Sequence, residues 1–199
     1  MAADWSQLTG FFIGIGLSAA CGFRLILPFL GLGIAARCGL VGLAPEFQWI
    51  ASWPALVAFA TAALLEIAAY AVPWLDNLLD TAAAPLAVVA GTVSAAAVFG
   101  DIDPFLKWSI ALIAGGGMAG IVQTGTTLLR GLSTVTTGGL GNAAVAAAEL
   151  AGSLLTTLLA LLVPLVAFIA ACLVAAVILW RLLRRPSKPG TPPAPQVFR

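Results

Sequence analysis

The chain has 199 residues, of which 61% are hydrophobic and 9% are charged, with a net charge of +1 and a mean hydropathy of +1.08. A soluble domain carries about 25% charged residues, so this composition excludes a water-facing surface and predicts a surface in contact with lipid. We therefore expect an all-α, polytopic membrane helix bundle forming one transmembrane domain over residues 1–184. The Pro-rich tail, residues 185–199, is predicted to be disordered and cytoplasmic.

The first apolar block, about residues 8–37, contains several features that break a helix. Gly22 and Pro28 interrupt it, and Arg24 lies near its middle, where a charged side chain costs a few kcal/mol in lipid. A broken helix or a re-entrant hairpin therefore fits this block better than one continuous spanning helix. The loop that follows ends at Trp49 and Trp53, which are typical of a membrane interface.

Two plainer helices are expected next, at about 54–72 and 76–99. Glu66 on the first and Asp80 on the second lie six or seven residues from the turn between them, so we predict that the two carboxylates face each other at similar depth. Carboxylates inside a membrane must share a proton, pair with arginine or hold a cation. Asp76 and Asn77 join this predicted ion pathway. In the alternative, Asp76 simply caps the second helix, and Asp80 lies in its first turn, where the helix dipole stabilises a carboxylate.

A fourth helix is expected from about residue 105 towards Gln123. It contains Gly116 and Gly120, whose G-x-x-x-G spacing lets two helices approach closely, and we assign both glycines to helix packing.

Residues 123–142 are unusually polar for a chain of this composition. They hold five glycines, Arg130 and seven hydroxyl side chains. Irregular backbone of this kind survives at membrane depth only when protein shields it or a wet cavity adjoins it, which predicts a second broken or re-entrant segment. An external loop is the alternative, and the hydroxyls could either line a solute path or bond back to their own helix.

The last apolar run, Leu150 to Trp180, would be about 45 Å long as one helix. Because this exceeds the ~30 Å hydrocarbon core, we expect it to tilt, to kink near Pro164 or to project from the membrane. Arg181 and Arg184 follow it directly, which predicts a cytoplasmic C-terminus by the positive-inside rule. We separately expect the membrane to be a bacterial inner membrane.

A weak internal repeat relates residues 8–99 to residues 105–184. A shift of about 99 positions places Gly16 on Gly115, and paired interrupted segments often form the binding site of a transporter. The repeats would be inverted if the first unit crosses the membrane an odd number of times.

The arginines are the natural counter-charges for the carboxylates. Arg24 and Arg130 could pair with Glu66 or Asp80, or bind an anionic solute group. In the alternative, Arg24 bonds to carbonyls exposed at the helix break and Arg130 extends to an interface. We include both arginines and Gln123 in the predicted pathway.

The segment Val72-Pro-Trp-Leu-Asp-Asn-Leu-Leu-Asp80, followed by Pro85 and Gly91, resembles a bacterial membrane family catalogued as domain of unknown function 4126. Gly22-Phe-Arg24 and the run from Ser133 to Asn142 are also similar to that family, and the resemblance spans roughly residues 8–170. Members often carry histidine or lysine near the second glycine-rich segment, where this chain has Gln123 and Thr127. The resemblance implies a membrane protein and no particular activity.

Together these features predict a small transporter or channel for a polar or ionic solute, in which buried carboxylates form a cation or proton site. No nucleophile–base pair, Walker loop or cysteine pair occurs in the sequence, and histidine is absent, so we expect no enzyme activity, no metal site and no cofactor. Membrane lipids and further copies of the chain are the expected partners, and nucleic acid is not. A non-transporting accessory subunit and a lipid-handling protein remain the alternatives.

Overall fold

A computed structural model describes residues 2–69, 73–100 and 102–184, leaving the side chains of residues 2–4, 6, 69 and 73–81 outside the description. Over this part of the chain the fold is all-α, as predicted. The helices are α1 (Ala2–Cys21), α2 (Leu27–Arg37), α3 (Trp53–Ala69), α4 (Pro73–Val98), α5 (Pro104–Ile110), α6 (Gly117–Thr137), α7 (Asn142–Leu162) and α8 (Pro164–Leu183), and a 3₁₀ helix covers Pro45–Ala51.

Three helices are long and apolar enough to cross a membrane on their own. They are α7, α8 and the 34-residue helix Pro104–Thr137, in which a π-helical stretch at Ala111–Gly116 joins α5 to α6. The 3₁₀ helix and α3 meet at an angle of 63° and together make a fourth candidate span. The chain is therefore a membrane helix bundle.

The direction of each helix follows from its contacts with α1, which lies at the centre of the bundle. Gly16 packs closely against Ala160 of α7, and Ser153, farther back along α7, donates a hydrogen bond to Ala20 O at 3.1 Å. As α1 advances, its contacts on α7 thus move backwards, so α7 runs antiparallel to α1. Ser18 Oγ lies 2.7 Å from Gly91 O, on the helix α4 that is also antiparallel to α1.

The first glycine-rich block forms a hairpin of two helices, which agrees with the prediction that it is not one continuous helix. Phe23, just after α1, packs against Gly152, whereas Gly31 of α2 packs against Thr157. The chain therefore rises along α7 as α1, reverses over residues 22–26, and descends again as α2. With 11 residues, α2 is about 16 Å long, roughly half of a ~30 Å hydrocarbon core.

The second glycine-rich segment differs from the prediction of a broken stretch at membrane depth. Residues 117–137 are continuously helical, and the chain turns only at Gly138 and Gly139, which have φ angles of 62° and 92°. The threonine hydroxyls are satisfied within the helix: Thr124 donates to Gly120 O at 2.8 Å, and Thr137 donates to Ser133 O at 2.7 Å. Such bonds let a threonine-rich sequence remain helical in lipid.

The last apolar run is also not the single tilted or kinked helix that its length predicted. It divides at Val163, whose φ and ψ of −138° and 69° are not helical, into α7 and α8, each about 30 Å long. Proline has no N–H and its ring blocks the preceding turn, so Pro164 starts a new helix instead of bending the old one. Gly16 and Ala19 of α1 lie against Ala167 and Ala171 in turn, so α8 runs parallel to α1 and reverses the direction of α7.

The helix directions also show how the two halves of the predicted repeat, residues 8–99 and 105–184, are oriented relative to each other. Ser18 lies beside Gly115, and Gly22 lies beside Val122, so α1 and α6 run in the same direction. The first unit, residues 8–99, ends on the side on which it started, because Val98 at the end of α4 lies against Gly10 of α1. The condition for an inverted repeat is therefore not met.

Close helix packing joins α4 to the helix Pro104–Thr137. A Cβ added at Gly115 would lie 2.7 Å from Ala95 Cβ and 2.8 Å from Gly91 O, so only glycine fits between these backbones. Gly116 and Gly120, the pair assigned to helix packing, both lie against Val88 of α4.

This packing predicts different results for two glycines in the same run. Gly115→Ala should lower the free energy of unfolding of the detergent-solubilised protein by about 1–3 kcal/mol, and with it the melting temperature, because overpacking displaces α4. Gly117→Ala should leave it unchanged or raise it by up to ~1 kcal/mol, because nothing lies within 4 Å of the added methyl and alanine favours helix. Equal melting temperatures for the two variants would contradict the close approach of α4.

Candidate functional site

A buried ion pair joins α6 to α7. Arg130 Nε donates to Glu149 Oε1 at 2.8 Å, and Arg130 Nη2 contacts Glu149 Oε2 in the same fork. Each residue is 5% exposed. A bidentate guanidinium–carboxylate pair of this kind fixes both side chains in one plane and is the strongest form of side-chain ion pair.

Arg24 approaches the same carboxylate from the tip of the α1–α2 hairpin. It is 3% exposed, its Nη2 donates to Ala146 O at 3.0 Å, and Nη2 lies 4.0 Å from Glu149 Oε2. Glu149 is thus shared by two arginines that come from segments 106 positions apart in the sequence. The cluster connects the hairpin tip with the two spanning helices.

Glu66 holds the backbone of the hairpin tip. Its Oε1 accepts the N–H of Leu25 at 3.1 Å, and its Oε2 accepts the N–H of Ile26 at 3.4 Å. Ile26 precedes α2 and provides no side-chain cap, so these N–H groups at the start of the helix would otherwise need another acceptor. A carboxylate at a helix N-terminus is also favoured by the helix dipole. Glu66 therefore caps α2 from α3.

Two stripes of buried polar side chains run away from the ion pair. On α6, Gln123 and Thr126 share the face of Arg130, and Thr126 Oγ1 donates to Gln123 O at 2.9 Å. On α7, Ser153 and Thr157 follow Glu149 at four-residue intervals, each at most 4% exposed. Gln123 Nε2 lies 3.4 Å from Thr127 Oγ1.

The α7 stripe passes between the two arms of the hairpin. Ser153 bonds to α1, whereas Thr157 faces Gly31 of α2. Thr157 Oγ1 is buried and has no hydrogen-bond partner among the described residues. The stripe extends about 12 Å from Glu149 along the helix, so it places polar groups from the hairpin tip down towards the membrane surface.

The predicted site residues are partly brought together. Arg24, Gln123 and Arg130 lie in or beside the cluster. The first turns of α4 carry Asp76, Asn77 and Asp80, but their side chains lie outside the described residues, so the predicted opposition of Asp80 and Glu66 stays a prediction. Arg130 does not extend to an interface, because the carboxylate of Glu149 holds it inside the bundle.

Glu149 is the residue that sequence reasoning missed. It lies two turns inside α7, preceded by three alanines and followed by Leu150. The signal was its isolation: one acidic side chain in an otherwise apolar spanning helix needs a buried partner. Within the described residues no group of three His, Cys, Asp or Glu side chains is placed to hold a metal ion.

A second ion pair lies apart from the cluster, near the ends of the helices. Lys107 Nζ donates to Glu46 Oε1 at 2.8 Å, and the Glu46 side chain is 48% exposed. The ring of Phe47 contacts that of Trp108 in the same region. These contacts dock the 3₁₀ helix on α5 and provide a comparison for the buried pair.

The chain belongs to the family described as Domain of unknown function (DUF4126), whose model matches residues 11–185. The match covers the hairpin, the ion cluster and all spanning helices. No curated protein and no solved structure matches the chain.

The buried pair predicts strong coupling between its two residues. Glu149→Leu alone should lower the free energy of unfolding by about 3–5 kcal/mol, because it removes the carboxylate that both arginines contact. Arg130→Leu alone should cost less, because Arg24 still lies 4.0 Å from Glu149 Oε2. The double variant should lose less than the sum of the single losses, since it removes both charges together. The measurement is denaturant unfolding in detergent micelles, and additive losses would contradict the pairing.

Proposed function

We propose that this protein is a small membrane transporter or channel for a polar or ionic solute, with the Arg24–Arg130–Glu149 cluster on its pathway. The observation that carries the proposal is the position of this cluster. It lies where a re-entrant hairpin reverses inside the bundle, beside the C-terminus of α1 and the N-terminus of α2. Interrupted helices that meet charged side chains at mid-depth are the usual construction of a solute site in membrane transporters.

Energetics also support a functional role over a purely structural one. Burying two arginines and a glutamate costs several kcal/mol per ion in desolvation, and apolar side chains of the same size would pack these helices at least as well. Ionisable residues inside a membrane therefore point to a pathway for ions, protons or a solute. The α7 stripe of Glu149, Ser153 and Thr157 supplies hydroxyls that continue from the cluster along the hairpin.

The mechanism we infer is an exchange of partners at Glu149. A proton or cation that neutralises its carboxylate weakens the attraction to Arg130 and Arg24. The two guanidinium groups are then available to an anionic or polar solute group, because they present planar sets of N–H donors. Glu66 keeps the hairpin tip capped during this exchange, so the reversal of the chain acts as the fixed part of the site.

The charges at the end of α8 support one orientation. By the positive-inside rule, we propose that Arg181 and Arg184 lie on the cytoplasmic side of a bacterial inner membrane, so that the hairpin enters this membrane from the opposite face. A chain of about 200 residues has little protein with which to enclose a pathway, so we propose that it works as a homo-oligomer.

Flux measurements in liposomes test the proposal. Purified protein is reconstituted into vesicles, and proton flux is followed with internal pyranine while urea uptake is followed by light scattering. The unmodified protein should exceed protein-free vesicles at least tenfold in one of these assays. Glu149→Gln and Glu66→Gln should each reduce that flux about tenfold, because both remove a charge and keep only one of the two oxygens that accept hydrogen bonds.

The matched control is Glu46→Gln, which neutralises a half-exposed carboxylate in the Lys107 pair and should leave the flux unchanged. The transport proposal is wrong if the unmodified protein is no faster than protein-free vesicles in either assay. It is equally wrong if the Glu149→Gln and Glu66→Gln variants both stay monodisperse and conduct as fast as the unmodified protein.

A further inference from the structure

A lipid-facing groove separates α2 from α7. It encloses about 300 Å³, and its walls are apolar side chains of the two helices and of the loop after α2, including Leu27, Leu30, Ile34, Leu154 and Leu158. Gly31 forms part of its floor, where the absence of a side chain lets the Thr157 methyl group close the base.

The length of the groove matches one leaflet of a bilayer. Its lining residues follow α2 from Leu27 at the hairpin tip to Cys38 just past the C-terminus of the helix. This is about 16 Å at 1.5 Å per residue, half of a ~30 Å hydrocarbon core. The groove thus extends from the membrane surface to mid-depth.

The outer end of the groove lies at the level of the lipid headgroups. Arg37, the last residue of α2, stacks over the Trp53 ring at 4.2 Å and donates to Ala51 O at 3.1 Å. Exposed tryptophans such as Trp53 mark the headgroup region. Arg37 follows Leu30 by seven residues and Ile34 by three, so it shares the face of α2 that lines the groove. A guanidinium has five N–H donors, enough to bind a phosphate as well as Ala51.

The chemistry of the groove selects among possible occupants. Its lining is almost entirely apolar, so a hydrocarbon group is its natural occupant. A single hydrocarbon chain fits the shape, and the membrane around this face supplies such chains at high concentration. The positive charge at the outer end complements an anionic headgroup.

We propose that the α2–α7 groove binds one anionic phospholipid, with an acyl chain along α2 and its phosphate at Arg37. The lipid completes the packing of the re-entrant arm, which would otherwise leave the groove empty between α2 and α7. The site lies on the outer surface of the hairpin, and its existence does not depend on whether the protein transports a solute.

Native mass spectrometry of the full chain in detergent tests the proposal, with phosphatidylglycerol and phosphatidylcholine added in equal amounts. The unmodified protein should retain one phosphatidylglycerol in preference to phosphatidylcholine. Ile34→Trp fills the groove and should reduce the retained lipid at least fivefold. Ile169→Trp is the matched control, since Ile34 and Ile169 are 48% and 49% exposed and Ile169 faces lipid on α8, so it should have no effect.

The headgroup contact has its own matched pair. Arg37→Gln should abolish the preference for phosphatidylglycerol, whereas Arg184→Gln should preserve it, although Arg184 also stacks on a tryptophan, at 4.1 Å from the Trp180 ring. Equal effects of the two arginine variants would overturn the headgroup assignment. Equal effects of the two tryptophan variants, or no retained lipid on the unmodified protein, would overturn the site itself.

Alkylation gives a second measurement that needs no variant. Cys38 is exposed at the outer end of the groove, and Cys172 is exposed on α8. Phosphatidylglycerol added to the solubilised protein should slow the reaction of Cys38 with N-ethylmaleimide severalfold and leave the rate at Cys172 unchanged. Equal slowing at both cysteines would contradict a lipid bound in the groove.

Discussion

The reversal of the chain inside the bundle, over residues 22–26, is the constraint on which the rest of the structure depends. A backbone that leaves the helical state at membrane depth exposes N–H and C=O groups that lipid cannot satisfy. Here Glu66 accepts the N–H groups of Leu25 and Ile26 from α3. Arg24 donates to Ala146 O of α7. The hairpin tip is thus bonded to two other helices, which fixes the height of both relative to α1.

The same reversal accounts for the charge buried in the bundle. Once Arg24 lies at mid-depth, a carboxylate must lie nearby, and Glu149 meets that need while pairing with Arg130. The polar residues of α6 and α7 then follow at helical spacing from these two anchors. Close packing by Gly91 and Gly115 brings α4 against the other side of the bundle. The site and the fold therefore share one set of interactions.

The sequence predicted the features that depend on local signals. Gly22, Arg24 and Pro28, within seven positions, marked the hairpin, and half-buried Glu66 was singled out by its position in an apolar helix. The partner of Arg130 could not be predicted, because it depends on the height of α7 relative to α6. That height is set by tertiary packing across a four-residue turn.

Two predictions that the structure contradicts were wrong for the same physical reason: one residue type is compatible with two structures. Threonine is polar in composition, but in α6 its hydroxyl bonds to the carbonyl four residues earlier, so residues 123–137 remain helical. Pro164 can bend a helix or begin one, and the sequence alone does not distinguish these outcomes. In this chain Val163 takes a non-helical conformation, and two antiparallel spans replace one long helix.

The tight link between α7 and α8 has a consequence for how the protein is made. One non-helical residue joins two apolar helices of 21 and 20 residues. The link therefore contains no polar loop that could remain in water while the second helix is synthesised. A link this short favours insertion of α7 and α8 into the bilayer together, as a helical hairpin. Arg130 lies on the preceding helix, so the partner of Glu149 is synthesised before Glu149 itself.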